Sequence, residues 1–404
     1  MKTLLFSLFL LFLCNSHEGA QTVLIDPHFS PYCGAANLTA AEELLLHGEE
    51  ALFPPSPLKS QAGIWGRATE QLLFWTPLGM MVDRTQHEVF GHGYRMRELG
   101  HPPEKYRIYP WKGETYYSLT TDLQVGKMIS IAIAGLEAES ILAYELKSKW
   151  IQEGRMDGRL GATYLLSEQS LVWKTFSTLL KKRESSLPFP DSSQIGAYLG
   201  LHHALYPDQR LTIHKLSLWS LFNLLDPMTF YSLLAYTSYV TDGAPLYIPM
   251  IALNEETLYL PNLKVGYAPY APELYFENFF ILKERPLYLY LKGGPKSVGV
   301  GCLYDHLLRG KFGALGIRFD SWNQALFLSK LTLEDLAEGH LTPSNELRKR
   351  KWGAALSFRA CLKVKEQTAL FLELGAKSAG YLPGYSLGKG GVMRVGMQFG
   401  LKQL

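Results

Sequence analysis

From about Gly243 onward the chain follows a period of two. In VMRVGMQFGLK, Met393, Val395, Met397, Phe399 and Leu401 alternate with Arg394, Gly396, Gln398, Gly400 and Lys402. In WGAALSFRACLKV, Trp352, Ala354, Leu356, Phe358, Ala360 and Leu362 oppose Gly353, Ala355, Ser357, Arg359, Cys361 and Lys363. FGALGIRFD sets Leu315, Ile317 and Phe319 against Gly316, Arg318 and Asp320. Successive side chains of a strand point to opposite faces, so each segment carries one apolar face and one face of polar residues and glycine. About eight to ten such segments, each near ten residues long, fit transmembrane β-strands. A soluble sandwich also alternates. The strand lengths, and Tyr381, Tyr385 and Trp352 near segment ends, favour the membrane alternative.

The last strand resembles the closing strand of outer-membrane barrel proteins, although it ends in Leu404 where an aromatic residue is usual. That resemblance implies contact with outer-membrane lipid. The N-terminus agrees with export. MKTLLFSLFLLFLCNS has Lys2 ahead of an apolar run from Leu4 to Leu13, too short to span a bilayer comfortably. Residues 1–20 are expected to be a signal peptide, cut after Ser16 or Ala20. A lipid anchor at Cys14 is the alternative, but Leu13 stands where a small residue is expected.

Residues 21–242 are expected to be helical and residues 243–404 an antiparallel β-barrel, which makes the chain α+β. Apolar residues recur at helical spacing from Ala36 to Val240. Pro77 should break or kink the helix around LLFW and LGMM. Asp226-Pro227 splits the apolar stretch Leu216 to Val240, which favours a buried helix-turn-helix over a membrane span. The net charge is only +3, and the one basic run, Arg348 to Lys351, reads as a solvated turn or a headgroup anchor. Nucleic acid is therefore not expected as a partner. Beyond Cys14 the chain has Cys33, Cys302 and Cys361, too few for a disulfide framework. Cys302 and Cys361 read more simply as buried thiols than as a pair.

The helical half contains QHEVFGHGYR, residues Gln86 to Arg95. The zinc helix HExxH holds its histidines four residues apart, about 40° around the helix. Here His87 and His92 are five apart, about 140° on a regular helix, too far to share one ion. A single-turn π-bulge brings i and i+5 into line, and Gly91 and Gly93 give the backbone room for it.

The segment His87-Glu88-Val89-Phe90-Gly91-His92 resembles the HExxGH zinc helix of the dipeptidyl peptidase III metallopeptidases. The match covers about seven residues and does not extend to the fold. It implies zinc held by His87 and His92, with Glu88 acting on the catalytic water. It also implies a third ligand, a glutamate on a later helix. Glu137 and Glu139 interrupt the apolar run from Ile129 to Leu142. Glu137-Ala138-Glu139 is similar to the E-x-E of ligand helices in several glutamate-zincins, where the first glutamate binds metal. That makes Glu137 the expected third ligand and Glu139 its alternate, although Ile141 stands where those families place an acid. His202, His203 or Tyr206 would supply an oxyanion stabiliser, and the sequence does not choose among them.

Plainer readings stand beside these. Glu88 and His92 form an i,i+4 pair on an ordinary helix, the glycines end that helix, and Glu137 pairs with Arg95 or Arg97. The function expected is a membrane-associated zinc hydrolase cutting peptides. The main alternative is a non-enzymatic outer-membrane barrel with a helical plug or partner-binding domain, and a third is an integral helical enzyme.

Overall fold

The computed structural model describes residues 21–52, 60–118, 120–180, 194–207, 211–340, 347, 349–365 and 367–400. The expected signal peptide, Cys14 and Arg348 lie outside the described residues. Cys33, Cys302 and Cys361 are free thiols.

The chain starts with strand β1 (Gln21–Ile25) and enters a helical region. Its helices are α1 (Pro31–Leu52), α2 (Gln61–Glu70), α3 (Thr76–Thr85), α4 (Gly93–Glu98), α5 (Val125–Glu153), α6 (Gly161–Glu168), α7 (Ser170–Leu180), α8 (Gln194–Leu205), α9 (Ile213–Ser220) and α10 (Pro227–Asp242). A hairpin of β2 (Lys105–Tyr109) and β3 (Lys112–Tyr116) interrupts them, and β4 (Arg155–Met156) pairs with β5 (Leu246–Tyr247). Asp226, expected to split the apolar stretch, caps α10 by accepting from the Met228 N–H and is itself ion-paired with Lys147 at 3.1 Å.

The remaining strands are β6 (Ile251–Asn254), β7 (Thr257–Tyr267), β8 (Pro272–Leu282), β9 (Arg285–Gly294), β10 (Ser297–Gly310), β11 (Gly313–Ala325), β12 (Arg350–Lys365), β13 (Thr368–Lys377) and β14 (Gly390–Phe399), with short helix α11 (Leu333–Ala337) before β12. They form an antiparallel meander to which β1 adds the tenth strand, paired with β14 from Gln21↔Phe399 to Ile25↔Val395. The molecule is thus mixed helix and sheet with a helical N-terminal part.

The expected closed barrel is corrected: among the described residues the sheet is open, and its edge strands β1 and β6 do not pair. One reason is that the free edge of β1 is already occupied. The Asn37 amide on α1 accepts from the Leu24 N–H at 2.7 Å and donates to the Leu24 carbonyl at 2.9 Å, as a neighbouring strand would. The other is that β6 is only four residues long.

The faces of the sheet are inverted relative to a soluble protein. Met393, Val395 and Met397 face outward and are exposed, whereas Arg394 between them is buried. Leu356 and Phe358, and likewise Phe319, face outward beside buried Ser357, Arg318 and Asp320. The inner face carries matched charges: Glu373 meets Arg394 at 2.9 Å and Arg359 at 3.5 Å, Glu273 meets Lys292 at 3.0 Å, and Glu277 meets Lys264 at 3.1 Å. Helix α5 runs across this inner face, burying Ile129, Ile133, Leu142 and Leu146 in apolar clusters shared with other helices and sheet residues.

Candidate metal centre

Residues 61–98 form a continuous helical path with two π-helical segments, Gln71–Trp75 and Gln86–His92. The first lies just ahead of Thr76-Pro77. A proline inside a helix lacks its N–H and crowds the carbonyl four residues back, and the wider turn accommodates it without breaking the rod. The second contains the motif. Its wider turn aligns His87 with His92, so the Nε2 atoms face each other at 3.2 Å, with ring centroids 4.8 Å apart.

Close contact with α5 holds the π turn in place. A Cβ on Gly91 would lie 2.7 Å from the Ala134 carbonyl oxygen, and one on Gly135 would collide with the His87 imidazole. Glycine is thus required on both sides of the contact.

The outer nitrogens decide which tautomers point inward. His92 Nδ1 lies 2.8 Å from the Ile131 carbonyl, which only accepts, so Nδ1 carries the proton and Nε2 presents a lone pair. Burial, with His87 adding to it, pushes the His92 pKa down to about 4, so the ring is neutral at physiological pH. His87 Nδ1 lies 2.9 Å from Glu139 Oε1. Lys174 on α7 reaches both Glu139 oxygens, at 2.7 and 2.8 Å, and comes within 2.9 Å of His87 Nδ1. Ser170 donates to Glu139 at 2.6 Å. Burial alone would raise the Glu139 pKa, but His87 and Lys174 hold it well below the usual carboxylate range.

Glu88 lies beneath the β2–β3 hairpin. Thr115 donates to its Oε2 at 2.6 Å, and a Cβ on Gly113 would sit 2.7 Å from its Cγ. Its burial is outweighed by His87 and His92, so its pKa is lowered and it is ionised at neutral pH. The phenols of Tyr106 and Tyr117 are raised mainly by burial and also feel the Glu88 charge, which puts both near this carboxylate.

His87, Glu88, His92 and Glu139 are therefore brought together, and Glu137 is not. Its carboxylate takes both Arg95 Nη2 contacts at 2.9 and 3.1 Å, the Tyr381 hydroxyl at 3.1 Å and the Gly384 N–H at 2.6 Å. The pairing with Arg95 is the plainer reading of this residue, and it leaves the carboxylate no direction free for a ligand. Glu139, the alternate, reaches the outer nitrogen of His87, not the point between the two imidazoles. Among the described residues no three His, Cys, Asp or Glu side chains converge on one point.

The oxyanion candidates lie elsewhere. His202 Nε2 contacts the Tyr270 carbonyl at 3.1 Å, the Tyr206 hydroxyl donates to the Leu326 carbonyl at 3.0 Å, and His203 is exposed. Sequence reasoning missed Lys174 and Thr115. The one available signal for Lys174 was a lone cation in the otherwise uncharged helix SLVWKTFSTLL. Thr115 gave none, because its role depends on where the hairpin folds back.

No family model, curated protein or solved structure matches the chain.

Proposed function

We propose that the chain is a membrane-associated, zinc-dependent hydrolase acting on peptides at the outer membrane. One observation carries the reading: two Nε2 atoms face each other at 3.2 Å, with the Ile131 carbonyl at His92 Nδ1 and both Glu139 and Lys174 at His87 Nδ1. Two nitrogens on a tetrahedral zinc, with bonds of about 2.0–2.1 Å, stand about 3.3 Å apart. Acceptors on the outer nitrogens are the usual support of metal-binding imidazoles. His87 and His92 would hold the ion, with Glu139 and the Ile131 carbonyl fixing their tautomers. Bound there, zinc would polarise a substrate carbonyl and acidify a bound water. Glu88, ionised and anchored by Thr115, would take a proton from that water and return it to the leaving amine. The apolar outer face of the sheet supports contact with lipid.

A second reading, a non-enzymatic outer-membrane protein with a helical plug, draws support from two features. Among the described residues no third ligand converges on the pair, and Lys174 already neutralises Glu139. Elemental analysis separates the two readings. Purified full-length protein is expected to hold about one zinc per chain, lost in His92→Ala with the fold retained. Folded wild-type protein without transition metal would overturn the hydrolase reading, as would zinc-loaded protein that cuts nothing in a broad peptide library.

A further inference from the structure

The helices next to the gap in the sheet share its inverted polarity. Helix α10 buries Thr229, Ser232 and Ala235 while exposing Phe230, Leu233 and Leu234. The turn after α9 buries Asn223 and exposes Phe222 and Leu225. The first π segment buries Gln71, whose amide approaches the Gly158 and Arg159 carbonyls, together with Trp75, and exposes Leu72, Leu73 and Phe74. A surface helix of a soluble protein turns its large apolar residues inward. Here three elements bury Trp75, Met228 and Tyr239 but also turn a run of large apolar residues outward.

These elements also lie between the two sheet edges. Strand β1 is capped by α1 through Asn37. The far end of α1 supplies Glu49 and Glu50 to Arg159, at 3.1 and 2.5 Å, and the Arg159 guanidinium lies over the rings of Trp75 and Tyr239. Tyr239 donates to Glu70 at 2.8 Å, which joins α10 to the end of α2. Tyr231 of α10 donates to the Pro249 carbonyl at 3.2 Å, next to β6. Contacts thus run without a break from one edge strand to the other.

From this we infer that the first π segment, the turn after α9 and α10 form a helical wall that bridges the gap and faces bilayer acyl chains. The inference rests on the membrane reading proposed above. Two observations favour lipid as the occupant. The helical apolar face continues the inverted polarity of the sheet. Between the buried Met228 and Tyr239, the inner side of α10 packs through small residues, with Gly158 against Ala235 and Gly161 against Ser232, the way helices associate where lipid surrounds them. Among the described residues no helix is long and apolar enough to cross a membrane by itself. A wall wetted by lipid on one side does not need one.

Nitroxide labels test this in the full-length protein reconstituted in phospholipid vesicles. Single-cysteine variants at Leu233 and Leu73 are compared with Val395 on the sheet and with Trp111, 80% exposed at the tip of the β2–β3 hairpin, as a water reference. The readout is relaxation by oxygen, which partitions into lipid, against relaxation by a nickel chelate, which stays in water. The expected result is that Leu233 and Leu73 match Val395 and differ from Trp111. Nickel access at Leu233 and Leu73 with lipid access at Val395 would overturn the helical wall and leave the membrane reading standing. Nickel access at all four sites would overturn both. Exclusion of both reagents at Leu233 would mean that a protein partner or a second copy covers it, and would also overturn the inference.

Discussion

Two buried constellations draw on similar side chains to opposite ends. Inside the sheet, Glu373 is flanked by Arg394 and Arg359, with Ser357 donating at 2.7 Å, and Arg318 pairs with Asp320 at 3.0 Å. At each of these charged contacts a cation meets an anion, and the two at Glu373 tie neighbouring strands across the inner face. Between the second π segment and α5, Lys174 and Glu139 also neutralise each other, but His87 and His92 aim two nitrogens at one point. A saturated network fixes a shape. A convergent pair of donors demands a third party, whether a proton or a metal. Burial and charge do not separate scaffold from site; unmet valence does.

The comparison can be broken most severely on the scaffold side. Arg394→Met should leave Glu373 facing fewer cations in a buried place and cost about 3–5 kcal/mol of stability in denaturant unfolding. Glu137→Gln, which weakens the pair with Arg95, should likewise lower stability while zinc content stays at the wild-type level. Loss of metal in Glu137→Gln would restore Glu137 as a ligand and erase the distinction.

The next effect belongs to the site. Glu88→Gln should keep the metal and lower peptide turnover by at least about 10²-fold, the contribution of a positioned acid–base group. If it loses metal together with His92→Ala, Glu88 is a ligand and the general-base role is wrong. The smallest effect sharpens the boundary between the two clusters. Glu139→Gln still accepts from His87 but gives up the charge shared with Lys174, and should weaken zinc affinity about 10–100-fold, read by competition with a chelator. An unchanged affinity would assign Glu139 to the scaffold.

The two faces of the sheet were legible because alternation over ten residues leaves no other arrangement for Arg394 among Met393, Val395 and Met397. The π turn was legible from a five-residue interval with a glycine inside it. The choice between Glu137 and Glu139 was not. Residues two apart point about 200° away from each other on a helix, so they had to serve different neighbours, and only the packing of α5 shows which. Strand β1 was hidden for another reason. QTVLI is only five residues long, so its pairing with β14 comes from tertiary proximity and not from any periodicity of its own. The open sheet was likewise hidden, since alternation specifies faces and says nothing about how edges meet.

The extra residue between the two histidines also bears on which insertions and deletions this chain tolerates. Deleting Phe90 would produce the commoner four-residue interval and let a regular helix align the same imidazoles. Because the π turn already absorbs the extra residue, the helix downstream would keep its direction, and Arg95, three residues past His92, would stay on Glu137, to which it is tied through two contacts. The deletion would remove only the wider turn and its fit of Gly91 against the Ala134 carbonyl. The five-residue interval is thus an insertion that the helix takes up locally, without re-aiming the buried pair beyond it.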